Sequence, residues 1–179
     1  KYGSKQGCLR YFKHQVFYHL GVYSKVRAID FSKIDRLVFV CSGNICRSPF
    51  GESVVKDKID ACSYGLDCEG GDSADPRSIR IASIKGCNLE THQSRNINLY
   101  EPRTSDLVLV MEPDHAVRLP HWNASVPQVS MLALWADRPF IYLHDPYNTN
   151  DRFFESCTDI IHEATMNILG RMGIRDLLS

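Results

Sequence analysis

Residues 37–41 read Leu-Val-Phe-Val-Cys, an apolar run in which neither face of a period-2 strand is left polar. Such a strand has to be covered on both sides, which points to the interior of a parallel sheet flanked by helices. Asp106–Met111 is a second run of this kind, and shorter strand patterns lie at 61–65 and 126–130. Helical patterns fall between and after them, over 49–60 with Pro49 in the first turn, 76–85, 113–119 and 151–171. The last places Phe153, Phe154, Cys157, Ile160, Ile161, Ala164, Ile168 and Leu169 on one stripe. Strand and helix in alternation predict an α/β fold, a small doubly wound (Rossmann-like) sheet of four parallel strands with helices on both faces. Ligands of such sheets bind beyond the carboxyl ends of the strands, and Cys41 ends the first one.

With 179 residues, 44% of them apolar, the chain can bury one substantial core. The expected division is an N-terminal extension over 1–35 and one catalytic-sized domain over 36–179. Formal net charge is zero, yet six of the 21 Lys and Arg precede residue 30, while all 21 Asp and Glu lie at or beyond it. The domain itself is therefore acidic on balance, which argues against a nucleic-acid binder. Seven cysteines, an odd number at irregular spacing, favour a reducing cytoplasm over a disulfide framework. No Cys or His pattern has metal-ligand spacing, and no apolar run approaches the roughly 18 residues of a membrane span.

The segment Cys41-Ser-Gly-Asn-Ile-Cys-Arg-Ser-Pro joins the first strand to a helix through small residues. Consecutive amides of Ser42, Gly43, Asn44, Ile45 and Cys46 can turn inward as an anion nest, and the helix that follows adds its positive dipole end. Arg47 supplies a planar fork for two oxygens of a phosphate, a geometry that lysine does not reproduce. In that positive field the Cys41 thiol is expected to ionise readily, with Ser48 hydrogen-bonding the sulfur and stabilising it as a leaving group. The loop lacks the G-x-x-x-x-G-K-[ST] pattern of magnesium-dependent phosphate loops, so no metal and no cofactor is expected.

The segment resembles the active-site loop of the low-molecular-weight protein tyrosine phosphatases. Ser-Tyr-Gly-Leu (63–66), residues 74–82, His-Gln-Ser-Arg (92–95), 106–111 and Asp-Pro-Tyr (145–147) follow in that family's order. The resemblance covers residue 36 to the end and implies phosphotyrosine hydrolysis through a cysteinyl-phosphate. It makes Cys41 the nucleophile, Arg47 the phosphate clamp and Asp145 the general acid. It also places Asn44 in a left-handed turn held by Ser63 and His92. Pro146 biases Asp145 toward extended backbone, in a loop where a carboxylic acid can protonate a phenolic oxygen and later activate water. Tyr147 is expected at the mouth of the cleft. Cys46 is expected to form a protective, reversible disulfide with Cys41. Ile45 favours phosphotyrosine, because the arginine-phosphatase branch has threonine at that position.

Two departures concern the substrate cleft. Residues 67–76 lack the wall aromatic of many eukaryotic members, and Asn148 stands in place of a second tyrosine. A third is the extension, a basic helix with Leu9, Phe12, Val16, Leu20 and Tyr23 as its stripe, interrupted by Gly21. Packing on its own domain, an acidic partner, a second subunit and an anionic membrane surface are the readings open to it. The rival functions are a thiol-dependent arsenate reductase, for which Cys62, Cys68 and Cys87 lie too early to be the resolving pair, and a silent phosphoprotein-binding module. The cysteine, arginine, serine and aspartate together argue against the latter. The partner expected is a phosphotyrosine protein.

Overall fold

The computed structural model describes residues 5–119 and 128–174. Four strands, β1 (Arg36–Cys41), β2 (Asp60–Gly65), β3 (Asp106–Val110) and β4 (Gln128–Met131), form one sheet in the order β2-β1-β3-β4, with every pairing parallel. Five helices accompany it: α1 (Lys5–His19), α2 (Arg47–Val55), α3 (Pro76–Ile84), α4 (Pro113–Arg118) and α5 (Asp151–Arg171). The α/β expectation therefore holds. Within the expected fourth strand, residues 126 and 127 lie outside the described residues, as do His121 and Trp122.

The buried run on β1 splits by alternation between two cores. Leu37, Phe39 and Cys41 face one side with Leu107, Leu109 and Met111, where Phe50 and Val54 of α2 and Phe154, Ile161 and Ile168 of α5 complete the packing. Val38 and Val40 face the other side with Val108, Val110, Tyr64, Tyr100, Leu134 and Ile141. Two covered faces are the reason β1 and β3 carry no polar residue at their centres. At the opposite end from Cys41, Arg36 donates through Nε and Nη2 to the two carboxylate oxygens of Asp106, each at 2.7 Å, and Tyr100 Oη donates to Oδ2 at 2.6 Å. Burial alone would push the Asp106 carboxyl up, but these donors outweigh it and hold it below the ordinary carboxylate range.

Helix α2 begins at Arg47, two residues ahead of the sequence expectation, so Arg47 and Ser48 belong to its first turn. It ends at Val55, because Lys58 and Ile59 turn back onto the Val55 carbonyl before β2. The α1 stripe needs a correction. Gly21, at φ 75°, closes the helix, with Val22 N–H donating to Phe17 O and Gly21 N–H to Tyr18 O. The inner face is built from His14, Tyr18 and, beyond the helix, Tyr23, whereas Leu9, Phe12, Val16 and Leu20 face outward. His14 and Tyr23 satisfy each other's polar tips in this face, with His14 Nδ1 at 2.6 Å from Tyr23 Oη.

Candidate active site

Cys41 is the last residue of β1, and its sulfur is approached by two groups of the loop that follows. Ser48 Oγ lies 3.0 Å away and Asn44 N–H donates at 3.3 Å. Ser48 Oγ is also 3.3 Å from Tyr64 O and accepts from Asn44 Nδ2 at 2.8 Å. Its single proton thus has two acceptors within reach, the carbonyl while the cysteine is a thiol and the sulfur once it is a thiolate.

The loop carbonyls are turned outward and bonded to surrounding elements. Cys41 O accepts from Leu66 N–H at 3.0 Å, Ser42 O from Asp67 N–H at 2.8 Å, and Ile45 O from Asp75 N–H at 2.8 Å. Asn44 O faces His92 Nε2 at 2.8 Å and Cys46 O accepts from Ser78 Oγ at 3.2 Å. In a trans peptide the N–H of the next residue points away from the carbonyl. The amides of Ser42, Gly43, Ile45, Cys46 and Arg47 are accordingly directed to the inside of the loop, at the N-terminus of α2. Gly65 lets β2 back this loop closely, since a Cβ there would lie 2.8 Å from Ser42 O and 2.6 Å from Cys68 Sγ.

Asn44 is the one non-glycine residue with positive φ, 52°, among the described residues. Four neighbours hold it. Its Nδ2 donates to Ser48 and Ser63 Oγ, both at 2.8 Å, its Oδ1 accepts from Arg95 N–H at 2.7 Å, and its carbonyl meets His92. A carbonyl accepts only, so His92 carries its proton on Nε2, and burial lowers its pKa. Ser63 in turn donates to Glu52 Oε2, which also takes Arg95 Nη2 at 2.9 Å. Ser63 and His92 are therefore where the sequence reading expected them, and Arg95 and Glu52 are added.

Arg47 is 1% exposed. Its Nη1 donates to Glu112 Oε1 at 2.7 Å and to Leu143 O at 3.0 Å, and its Nη2 pairs with Asp145 Oδ2 at 2.8 Å. Asp145 is further fixed by Tyr147 N–H, which donates to its Oδ1 at 3.1 Å. Tyr147 is half exposed. Arg77 ties this acid loop to the cysteine loop. It donates to Tyr147 O and Thr149 O at 2.8 and 3.0 Å and pairs with Asp75, whose carboxylate also caps α3 and faces Cys46 Sγ at 3.7 Å. Burial, reinforced by Asp75, pushes the Cys46 thiol up. His115, under the loop, has Nε2 at 3.2 Å from Ser42 Oγ. Burial and the cations Arg47 and Arg118 lower its pKa to about 3, so it is a neutral imidazole at neutral pH.

The sequence reading missed Glu112, His115, Asp75, Arg77, Glu52 and Arg95. Glu112 and His115 had a usable signal, since both lie just beyond the carboxyl end of β3, where ligands of such sheets sit. No group of three or more metal-ligating side chains occurs among the described residues.

The family model for low molecular weight phosphotyrosine protein phosphatases matches residues 36–175. Over 145 residues the chain is 34% identical to AmsI of Erwinia amylovora, a probable low molecular weight protein-tyrosine-phosphatase, covering 77% of this chain and 99% of that one. It is 38% identical over 134 residues to the Wzb phosphatase of Escherichia coli K12, covering 73% and 90%. The crystal structure of AmsI superposes with a TM-score of 0.66 at 28% identity, over 77% of this chain and 93% of that one. The sulphate complex of Wzb from Escherichia coli K30 gives 0.64 at 25% identity, over 78% and 99%. With nearly the whole of residues 36–175 matched and the cysteine loop standing where those residues predict it, the chain belongs to the low molecular weight protein-tyrosine-phosphatase family.

Proposed function

We propose that this chain hydrolyses phosphotyrosine in proteins through a cysteinyl-phosphate intermediate, without a metal ion. The observation that carries the reading is the Cys41 sulfur, held by Ser48 and the Asn44 amide at the base of a loop whose remaining amides turn inward beside Arg47. A phosphate dianion seated there meets the amides and the Arg47 fork. The thiolate attacks phosphorus in line, the bond to the phenolic oxygen breaks, and Asp145 gives its proton to that oxygen. In the second step Asp145, now a carboxylate, takes a proton from water as the water attacks phosphorus. The P–S bond breaks, and the departing thiolate is stabilised by the Ser48 hydroxyl and the Asn44 amide.

Asp145 follows the apolar Ile141-Tyr-Leu segment on a loop braced by Arg77, which supports an acid at a set height above the sulfur. Tyr147, at the rim, is placed to stack on the substrate ring, and Ile45 in the loop favours an aryl ester over phosphoarginine. No described helix is long and apolar enough to cross a membrane. Seven free thiols fit a reducing cytoplasm as the place of action.

The test is phosphate release from matched phosphotyrosine, phosphoserine and phosphoarginine peptides in the presence of EDTA. Release from phosphotyrosine is expected to dominate, and Cys41→Ser to lower it about 10⁴-fold or more. Turnover surviving in a folded Cys41→Ser protein would remove the mechanism. Faster release from phosphoarginine would remove the substrate assignment.

A further inference from the structure

Helix α1 buries one side against the domain and presents an apolar stripe on the other. Leu9, Phe12 and Val16 recur at helical spacing and are 73%, 55% and 56% exposed; Leu20 continues the row at 71%, and Val22 adds 61% beyond the turn. The Leu20 amide still donates to Val16 O at 3.0 Å, so the row runs on past the end of the helix without a break. The inner side explains why this orientation is fixed. His14 stacks on Tyr142 with centroids 5.9 Å apart and planes at 9°, while Tyr18 and Tyr23 pack on the second core. Rolling the stripe inward would expose these rings and break the His14–Tyr23 hydrogen bond.

Charge says what the stripe faces. Lys1, Lys5, Arg10, Lys13, Lys25 and Arg27 surround it in sequence, and no Asp or Glu occurs before Asp30. Lys13 is four positions from Leu9, so it shares the outward half of the helix, whereas the Arg10 guanidinium bonds Tyr142 on the inner side. A second copy docked face to face would bring cations against cations with no acid in the segment to offset them. An apolar stripe with Lys13 at its edge, in a segment whose sequence holds six cations and no acid, suits an interface in which anionic groups lie above a hydrocarbon layer. We propose that α1 is a membrane-surface anchor that lies flat on anionic lipid, with Leu9, Phe12, Val16 and Leu20 inserted among the acyl chains and Lys13 at the headgroups. The acidic remainder of the chain is repelled by the same surface, which fixes the side on which the domain approaches. The proposal is independent of the phosphatase reading, because none of these side chains belongs to the cysteine loop or the acid loop.

The experiment is co-sedimentation of the full chain with vesicles of phosphatidylglycerol and phosphatidylcholine in equal parts, compared with phosphatidylcholine alone. Binding is expected on the anionic vesicles only, weakening as salt is raised. The double variant Leu9→Glu/Val16→Glu should lower partitioning about tenfold or more, with the thermal midpoint of the wild type retained because both side chains are exposed. Lys13→Glu should weaken binding without changing that midpoint. Absence of wild-type binding, equal binding to both vesicle types, or full binding by the folded double variant would each overturn the proposal. A wild-type dimer that becomes a monomer in the double variant, with no vesicle binding, would assign the stripe to a second copy instead.

Discussion

Arg47 Nη2 and Asp145 Oδ2 are 2.8 Å apart, so the arginine of the cysteine loop and the carboxylate of the acid loop form an ion pair. The other nitrogen, Nη1, is taken by Glu112 and Leu143 O. A phosphate that approaches the Nη2 side of the fork therefore competes with Asp145. Removing the carboxylate removes both a competitor for Arg47 and a repelling charge. Asp145→Ala should bind inorganic phosphate about tenfold more tightly, equal to about 1.4 kcal/mol, as read by calorimetry. The same variant should hydrolyse aryl phosphates with poor leaving groups slowest. Unchanged phosphate affinity would mean that the ion pair does not compete with the ligand.

Asn44 combines a strained backbone with a side chain that bonds Ser48, Ser63 and the Arg95 amide. Asn44→Ala keeps the strain and loses the bonds, at about 1 kcal/mol for each bond, so destabilisation of about 3 kcal/mol is expected in urea unfolding. Asn44→Gly loses the same bonds but relaxes the backbone, and should recover about 1 kcal/mol. Equal stabilities of the two variants would show that the left-handed turn carries no strain.

The Arg36–Asp106 pair is buried far from the cysteine loop and joins the starts of β1 and β3. Arg36→Met leaves an uncompensated carboxylate in the core and should cost about 3–5 kcal/mol. Arg36→Met/Asp106→Leu should recover most of that loss, since two apolar groups leave no charge behind. Urea midpoints decide the matter, and a single variant no worse than the double one would refute the argument.

His115 sets an acid limit on stability. Its folded pKa, lowered to about 3, lies below the ordinary histidine value, so between the two the unfolded chain binds the proton and the native state does not. Its contribution is full above the ordinary value and is lost as pH falls through the window below it. Between pH 7.5 and 5.5 the loss is about 1 kcal/mol from this residue. His115→Asn should flatten the urea midpoint over that range, and a midpoint as steep as in the wild type would assign the dependence to other groups.

The sequence exposed the chemistry where it is local. Cys41, Asn44, Arg47 and Ser48 are contiguous because one strand-to-helix turn makes the anion cradle, and a turn writes its requirements into neighbouring residues. Asp145 was reached through the family resemblance, with the extended backbone expected before Pro146 as support. Arg77 and Arg95 were not, because each acts across a long chain separation, and the place of Glu112 just after β3 did not say which residue it meets. Arg47 meets Glu112 only because β3 lies beside β1, and Arg77 reaches Tyr147 only because α3 lies against the loop before α5.

Helix α1 divides the two kinds of knowledge most sharply. From the residues alone came a basic helix with an apolar row interrupted by Gly21, because periodicity is a local property. Which side of that helix is covered is a property of the surface it meets, and only the tertiary structure decided it. Tyr142 and the second core accept His14, Tyr18 and Tyr23, whose rings bury area while the polar tips of His14 and Tyr23 meet each other, and the purely apolar row is left outside.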